Sequence, residues 1–245
     1  MTRRTRAIRR WTVTLLLLGL IGAGGYAGWQ WLQRHPEHNP YAPLSLDHPL
    51  GWATDRKLAT LAADGSACRA LLRADGIDFA PLPRVGSDRC VAANRTRLAD
   101  NVVPGLVLRP VGVAPSCAVD AALILWMRER VQPAAQRHFG QPVARVEHLG
   151  GYNCRRIGGG DSWSEHSTGN AIDIAAFVLA DGTRISLIDD WRAEPDGPRS
   201  RFLADARDGA CELFATTLSP AYNRAHADHF HLDQAQRAGG WNVCR

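Results

Sequence analysis

The sequence has no internal repeat, no heptad pattern and no low-complexity tract, which sets aside solenoids and coiled coils as its main architecture. It has no Cys-x-x-Cys pair either. No two cysteines stand closer than Cys68 and Cys90, so the zinc-ribbon spacing is missing. Aromatic residues are few apart from eight Trp. Clusters of Lys and Arg are missing from the body of the chain. The formal charge is +5, and Arg3, Arg4, Arg6, Arg9 and Arg10 account for that much alone. A nucleic-acid-binding face needs clustered cations on folded surface, so no nucleic-acid partner is expected.

Charge is also absent from Trp11 to Trp31, WTVTLLLLGLIGAGGYAGWQW. At about 1.5 Å rise per residue such a stretch crosses a hydrocarbon core of about 30 Å as a helix. Arginines before it place that end in the cytoplasm, and the bracketing Trp suit the two interfaces. The organisation read from this is a cytoplasmic basic tail (1–10), a transmembrane signal-anchor (11–31), a Pro-rich linker (32–50) and one domain (51–245). The protein is then a single-pass inner-membrane protein with its C-terminal domain in the periplasm. Secretion after signal cleavage is the alternative, because 23–27 is rich in small residues, although no clear A-x-A site follows. The linker, RHPEHNPYAPLSLDHP over 34–49, reads as an extended spacer. Its His35, His38 and His48 read as solvated side chains.

The 245 residues, less this leader, suit one domain of about 150–200 residues. All six cysteines lie in that part, and an even number in an exported domain favours disulfides. Cys68 with Cys90 is the local expectation. Hydrophobic spacing predicts a helix over 116–139, capped by Ser116, ended by Gly140 and kinked or broken at Pro133. A second helix is predicted over 201–218. Strands are predicted over 77–82, 90–92, 107–108, 143–148, 171–179, 183–187 and 229–233, with a hairpin at Asp181-Gly182. The fold class is α+β, a small antiparallel sheet flanked by helices.

Two segments carry chemistry. In Ser164-Glu165-His166-Ser167-Thr168-Gly169-Asn170-Ala171-Ile172-Asp173, Asp173 lies on a strand and His166 on the loop before it. Gly169 permits the tight turn that brings them to one point. In His226-Ala227-Asp228-His229-Phe230-His231-Leu232-Asp233, His229 and His231 share a strand face and Phe230 turns to the core. Imidazole and carboxylate suit Zn²⁺.

Together the segments, S-x-H-x-x-G-x-A-x-D and then H-x-x-H-x-H, resemble the LAS superfamily of zinc metallopeptidases: D-Ala-D-Ala carboxypeptidases, murein endopeptidases and the Hedgehog domain. That resemblance implies an LAS/Hedgehog-like fold and His166, Asp173 and His231 as the Zn²⁺ ligands. It also implies His229 as base or transition-state stabiliser, His226 as a helper, and peptidoglycan as partner. Arg155 stands where the family carries an Arg that grips substrate. Over a wider range, Cys154-Arg155-Arg156-Ile157, Trp191 and Asp228–Asp233 also resemble the bacterial extensin-like C-terminal family. The chain lacks the Ser-Pro repeats that this name suggests. It lacks any Glu after Glu212, where E-x-x-W-H carboxypeptidases place their base. Asp233 is a candidate to orient a histidine from behind. The function expected is a membrane-anchored zinc hydrolase of peptidoglycan peptide bonds. The alternatives are a non-catalytic zinc module that binds the cell wall, or a structural envelope protein.

Overall fold

A computed structural model describes residues 3–158, 160–238 and 240–245. Helix α1 (Arg3–Arg34) is continuous. Over Ala7–Arg34 it is long and apolar enough to cross a membrane, and none of that window is buried by the rest of the chain. Such a helix fits a membrane anchor and a signal sequence alike.

The stretch expected to be an extended spacer instead folds against the domain. A short 3-10 turn (Pro36–His38) follows α1 almost at once, and Leu46 is fully buried in the main core. Its hydrophobic side chain gains more by burial than a solvated linker would. Lys57 Nζ donates to Pro36 O at 2.6 Å. His38 stacks between Trp31 and Trp52, with centroids 5.2 and 5.8 Å away.

Helices α2 (Thr54–Ala63) and α3 (Gly65–Ala74) follow. Asp64 separates them, and its carboxylate caps α3 by accepting from Ser66 N and Ala67 N. Strands β1 (Phe79–Pro81) and β2 (Thr96–Leu98) pair as a small antiparallel ribbon. Strand β3 (Val107–Arg109) leads into α4 (Cys117–Trp126), whose every residue is buried. Ser116 caps α4, its hydroxyl accepting from Val119 N. The predicted long helix is not broken at Pro133. It widens into a π turn (Met127–Val131) and continues as α5 (Gln132–Phe139). That turn lies just before Pro133, which lacks a donor and crowds the turn before it. Gly140, with φ 67°, ends the helix as predicted.

Strand β4 (Val143–Gly150), β5 (Ala171–Leu179), β6 (Arg184–Ser186), the short α6 (Leu187–Asp190), α7 (Pro198–Cys211), β7 (Thr216–Leu218), β8 (Phe230–Asp233) and β9 (Val243–Cys244) complete the α+β domain. The main sheet runs β3-β4-β5-β8-β7-β9, with β6 also paired to β5, seven strands in all. It is larger than the small sheet expected and not wholly antiparallel, since β3 is parallel to β4 and β9 to β7. The α4–α5 crossover between β3 and β4 makes the first parallel pair possible. The predicted helix over 201–218 ends at Cys211. Its last residues form β7, which pairs with β8.

The core is aromatic at its centre. Trp126 meets Phe177 edge-on, and Phe177 meets Phe202 at 88°. Trp126 Nε1 donates to Ala206 O at 2.8 Å, so its polar edge is satisfied. Asp120 of α4 is also buried and accepts from Thr96 Oγ1 at 2.6 Å. Burial pushes its pKa well above the usual carboxylate value.

The disulfides are Cys68–Cys117, Cys90–Cys154 and Cys211–Cys244. The expected Cys68–Cys90 pairing is incorrect. Cys68 points inward from α3 to the first residue of α4, while Cys90 anchors the loop after β4. Spatial neighbours, not sequence neighbours, decide the partners.

Candidate metal centre

The segment from Ser164 folds as the residues dictate. Ser164 Oγ accepts from His166 N and starts a 3-10 turn, Glu165–Thr168. Gly169, at φ 71°, reverses the chain in a conformation that L side chains rarely adopt. Strand β5 begins two residues later and carries Asp173. Strand β8 runs antiparallel beside it, in a register that sets His231 directly opposite Asp173. Directly paired residues share a face, so one turn and one strand pair bring three donors together.

The three atoms form a nearly equilateral triangle. His166 Nε2 lies 3.0 Å from Asp173 Oδ1 and 3.1 Å from His231 Nδ1, and the latter lies 3.1 Å from Asp173 Oδ1. A tetrahedral ion with bonds of about 2.0–2.1 Å separates its ligands by about 3.3–3.4 Å, close to this spacing.

The outer nitrogens settle which atoms carry protons. His166 Nδ1 lies 2.7 Å from Gly151 O, which can only accept, so Nδ1 donates and Nε2 turns a lone pair inward. His231 Nε2 donates to Asp233 Oδ2 at 3.0 Å, leaving Nδ1 to face the triangle. Three electron-rich atoms then converge, and only a cation reconciles them: an extra proton, or a metal ion. Burial disfavours the His231 cation, yet hydrogen bonds to Asp173 and Asp233 and their charges raise its pKa to about 9. Burial likewise opposes the Asp173 carboxylate, but the neighbouring His166 and His231 hold its pKa well below the usual range. The donor set and its spacing fit a divalent metal.

His229, just before β8, is on the same side as His231. Its Nε2 is 3.6 Å from Asp173 Oδ1, and its Nδ1 is 2.7 Å from Asp228 Oδ1. His226 stacks obliquely beside it, with ring centroids 5.2 Å apart, and its Nδ1 is 2.7 Å from Asn223 Oδ1. Burial, the neighbouring histidines and the charge of Arg155 outweigh Asp173 and lower the His226 pKa to about 4. Arg155 is exposed at this rim, its carbonyl accepting from Ser164 N. The Cys90–Cys154 bridge fixes the adjoining residue. Phe230 is fully buried, packing edge-on against Trp191.

The residues singled out in the sequence therefore lie around one point, with Asp233 behind it. The Gly151 carbonyl beside them has no side-chain signature in the sequence. Glu165 is a further neighbour, half-buried beside His166, and its Oε2 accepts from Asn170 Nδ2 at 2.7 Å. Burial raises the pKa of Glu165. Its place inside the ligand motif was the available signal.

An α+β domain with a two-His, one-Asp cluster at the junction of its central strands is the class that fold and site define. The family model described as extensin-like protein C-terminus matches residues 66–245, and the chain belongs to that family. No curated protein and no solved structure matches it.

Proposed function

We propose that the protein is a membrane-anchored, zinc-dependent hydrolase of peptide bonds in peptidoglycan, with its domain in the periplasm. One observation carries the chemistry: the triangle of His166, Asp173 and His231, with both imidazoles held from behind so that three lone pairs converge. Two nitrogens and one oxygen without a thiolate suit Zn²⁺. Three protein ligands leave a fourth position for chemistry. The substrate class comes from the resemblance of the two motifs to LAS-type peptidases. Three disulfides and an apolar N-terminal helix support an exported, anchored chain.

Zinc bound there would supply Lewis acidity to polarise a scissile carbonyl and acidify water. The chain's own residues do the rest. His229 Nδ1 donates to Asp228 Oδ1, which leaves Nε2 on the side of the centre, placed as a general base. His226, kept neutral, offers an acceptor to a substrate N–H without adding charge. Arg155 supplies a cation for the carboxylate of a stem peptide.

Incubating the purified full chain with sacculi, with and without chelator, tests this proposal. Chelator-sensitive release of new muropeptides is expected; unchanged muropeptides from a folded, zinc-loaded sample would sink it. A second reading keeps the zinc without turnover, as a wall-binding module. The place of Asp233 favours it, because that carboxylate stands behind His231 and not at the open rim. On that reading His229→Ala leaves wall binding intact.

A further inference from the structure

The junction between α1 and the domain is a packed elbow. Trp31, in the last turns of α1, stacks on His35 at 4.6 Å and on His38 at 5.2 Å, and His38 stacks in turn on Trp52. Trp52 N donates to His38 Nδ1 at 3.3 Å. Gly51 passes so close to the Glu37 carbonyl that a Cβ there would lie 2.2 Å from its oxygen. Around this elbow the domain exposes aromatic surface that its core does not use: Tyr41 is 91%, Trp52 64% and Trp241 59% exposed. These three come from separate stretches of chain. Yet Pro40, Trp52, Gly240 and Asn242 line one open cleft, and Asn242 Nδ2 reaches Asp55 Oδ2 at 3.4 Å. Arg237 lies over the Trp241 ring at 5.1 Å.

Exposed Trp and Tyr in water lose the benefit of burial. At a membrane interface the ring meets the acyl boundary and the N–H or O–H stays hydrated. The stack fixes the height of this surface, because Trp52 is two ring contacts from Trp31 at the end of the apolar helix. We propose that the surface around Trp52, flanked by the stretches that carry the exposed Tyr41 and Trp241, lies in the headgroup layer of the membrane that α1 crosses. The domain therefore rests on the bilayer. This rests on the reading of α1 as an uncleaved anchor. The metal centre is carried at the other end of α4. Ser116, at the start of that helix, bonds to Asn170 beside the centre, while Leu125 near its end shares a small cavity with Glu37 and Lys57.

The test uses the full chain in vesicles of phosphatidylethanolamine and phosphatidylglycerol, a fraction of them spin-labelled at the headgroup. Difference emission between wild type and Trp52→Phe/Trp241→Phe isolates this aromatic surface, the collar, and that with Trp29→Phe/Trp31→Phe isolates the end of the anchor. The expected result is collar emission quenched at least as strongly as anchor emission. Unquenched collar emission beside quenched anchor emission overturns the proposal. A face reserved for a protein partner gives that result, since the vesicles hold this chain alone. Unquenched emission from both pairs shows that the anchor reading itself has failed.

Discussion

His231 donates through Nε2 to Asp233 at 3.0 Å, and that bond turns its Nδ1 toward Asp173. A ligand held from behind is better oriented and more basic than a free imidazole. Asp233→Asn is therefore expected to leave the fold intact and weaken zinc binding about 10- to 100-fold. His166→Ala and Asp173→Ala are expected to lose stoichiometric zinc. Competition titration with a chromophoric chelator measures both. Unchanged affinity in Asp233→Asn would remove the orienting role.

His229 touches the centre from its open side without belonging to the triangle. His229→Ala is expected to retain zinc while hydrolysis falls about 10²- to 10⁴-fold, the usual range for a lost general base. Metal content and muropeptide release from one preparation separate the two. Loss of zinc along with activity would make His229 a ligand.

The bridges divide by what they hold. Cys68–Cys117 joins α3 to α4 inside the core, and its removal as a double Ala variant is expected to cost about 2–5 kcal/mol with zinc affinity unchanged. Cys90–Cys154 holds the loop that follows Gly151, whose carbonyl orients His166. Removing it as a double Ser variant is expected to weaken zinc binding as well as lower Tm. Denaturation midpoints and zinc titration on both variants check the contrast.

Asp120 makes stability depend on pH away from the metal centre. Its folded pKa is raised above the ordinary 3.8, so the fold holds a proton that the unfolded chain releases. The stability gained is complete below that value and is lost as pH rises through the folded pKa. Asp120→Asn keeps an acceptor for Thr96 without the charge. Its advantage in Tm over wild type is expected to grow as pH rises above the ordinary 3.8 toward the folded pKa, by about 2–4 °C for each kcal/mol relieved. A calorimetric difference independent of pH would contradict this.

Local chemistry was legible in the sequence wherever it was self-contained. Strand 171–179, the Ser116 cap, the Gly140 stop and the inward Phe230 follow from spacing and side-chain type, and each stands as predicted. The approach of His166 to Asp173 was legible from the turn glycine and the shared face of His229 and His231 from the two-residue period, whereas His231 as their third partner was implied by the resemblance to the LAS motifs. What failed depended on distant partners. Thr216–Leu218 looks like the end of a helix until β8 arrives to pair with it. Leu46 looks like spacer until the core covers it. Cys68 finds Cys117 because α3 packs on α4, a contact without local signature.

The packed elbow also decides how such a protein searches. A flexible spacer of about 16 residues would let a tethered domain roam some 22 Å, by the random-coil scaling of about 5–6 Å × √n. Here Leu46 is buried and Lys57 grips Pro36, so those residues add no swing. For a chain anchored through α1, encounters come from lateral diffusion in the plane of the lipid, at a height set by the fold. Lengthening the loop over 39–45 would extend its range without altering the centre.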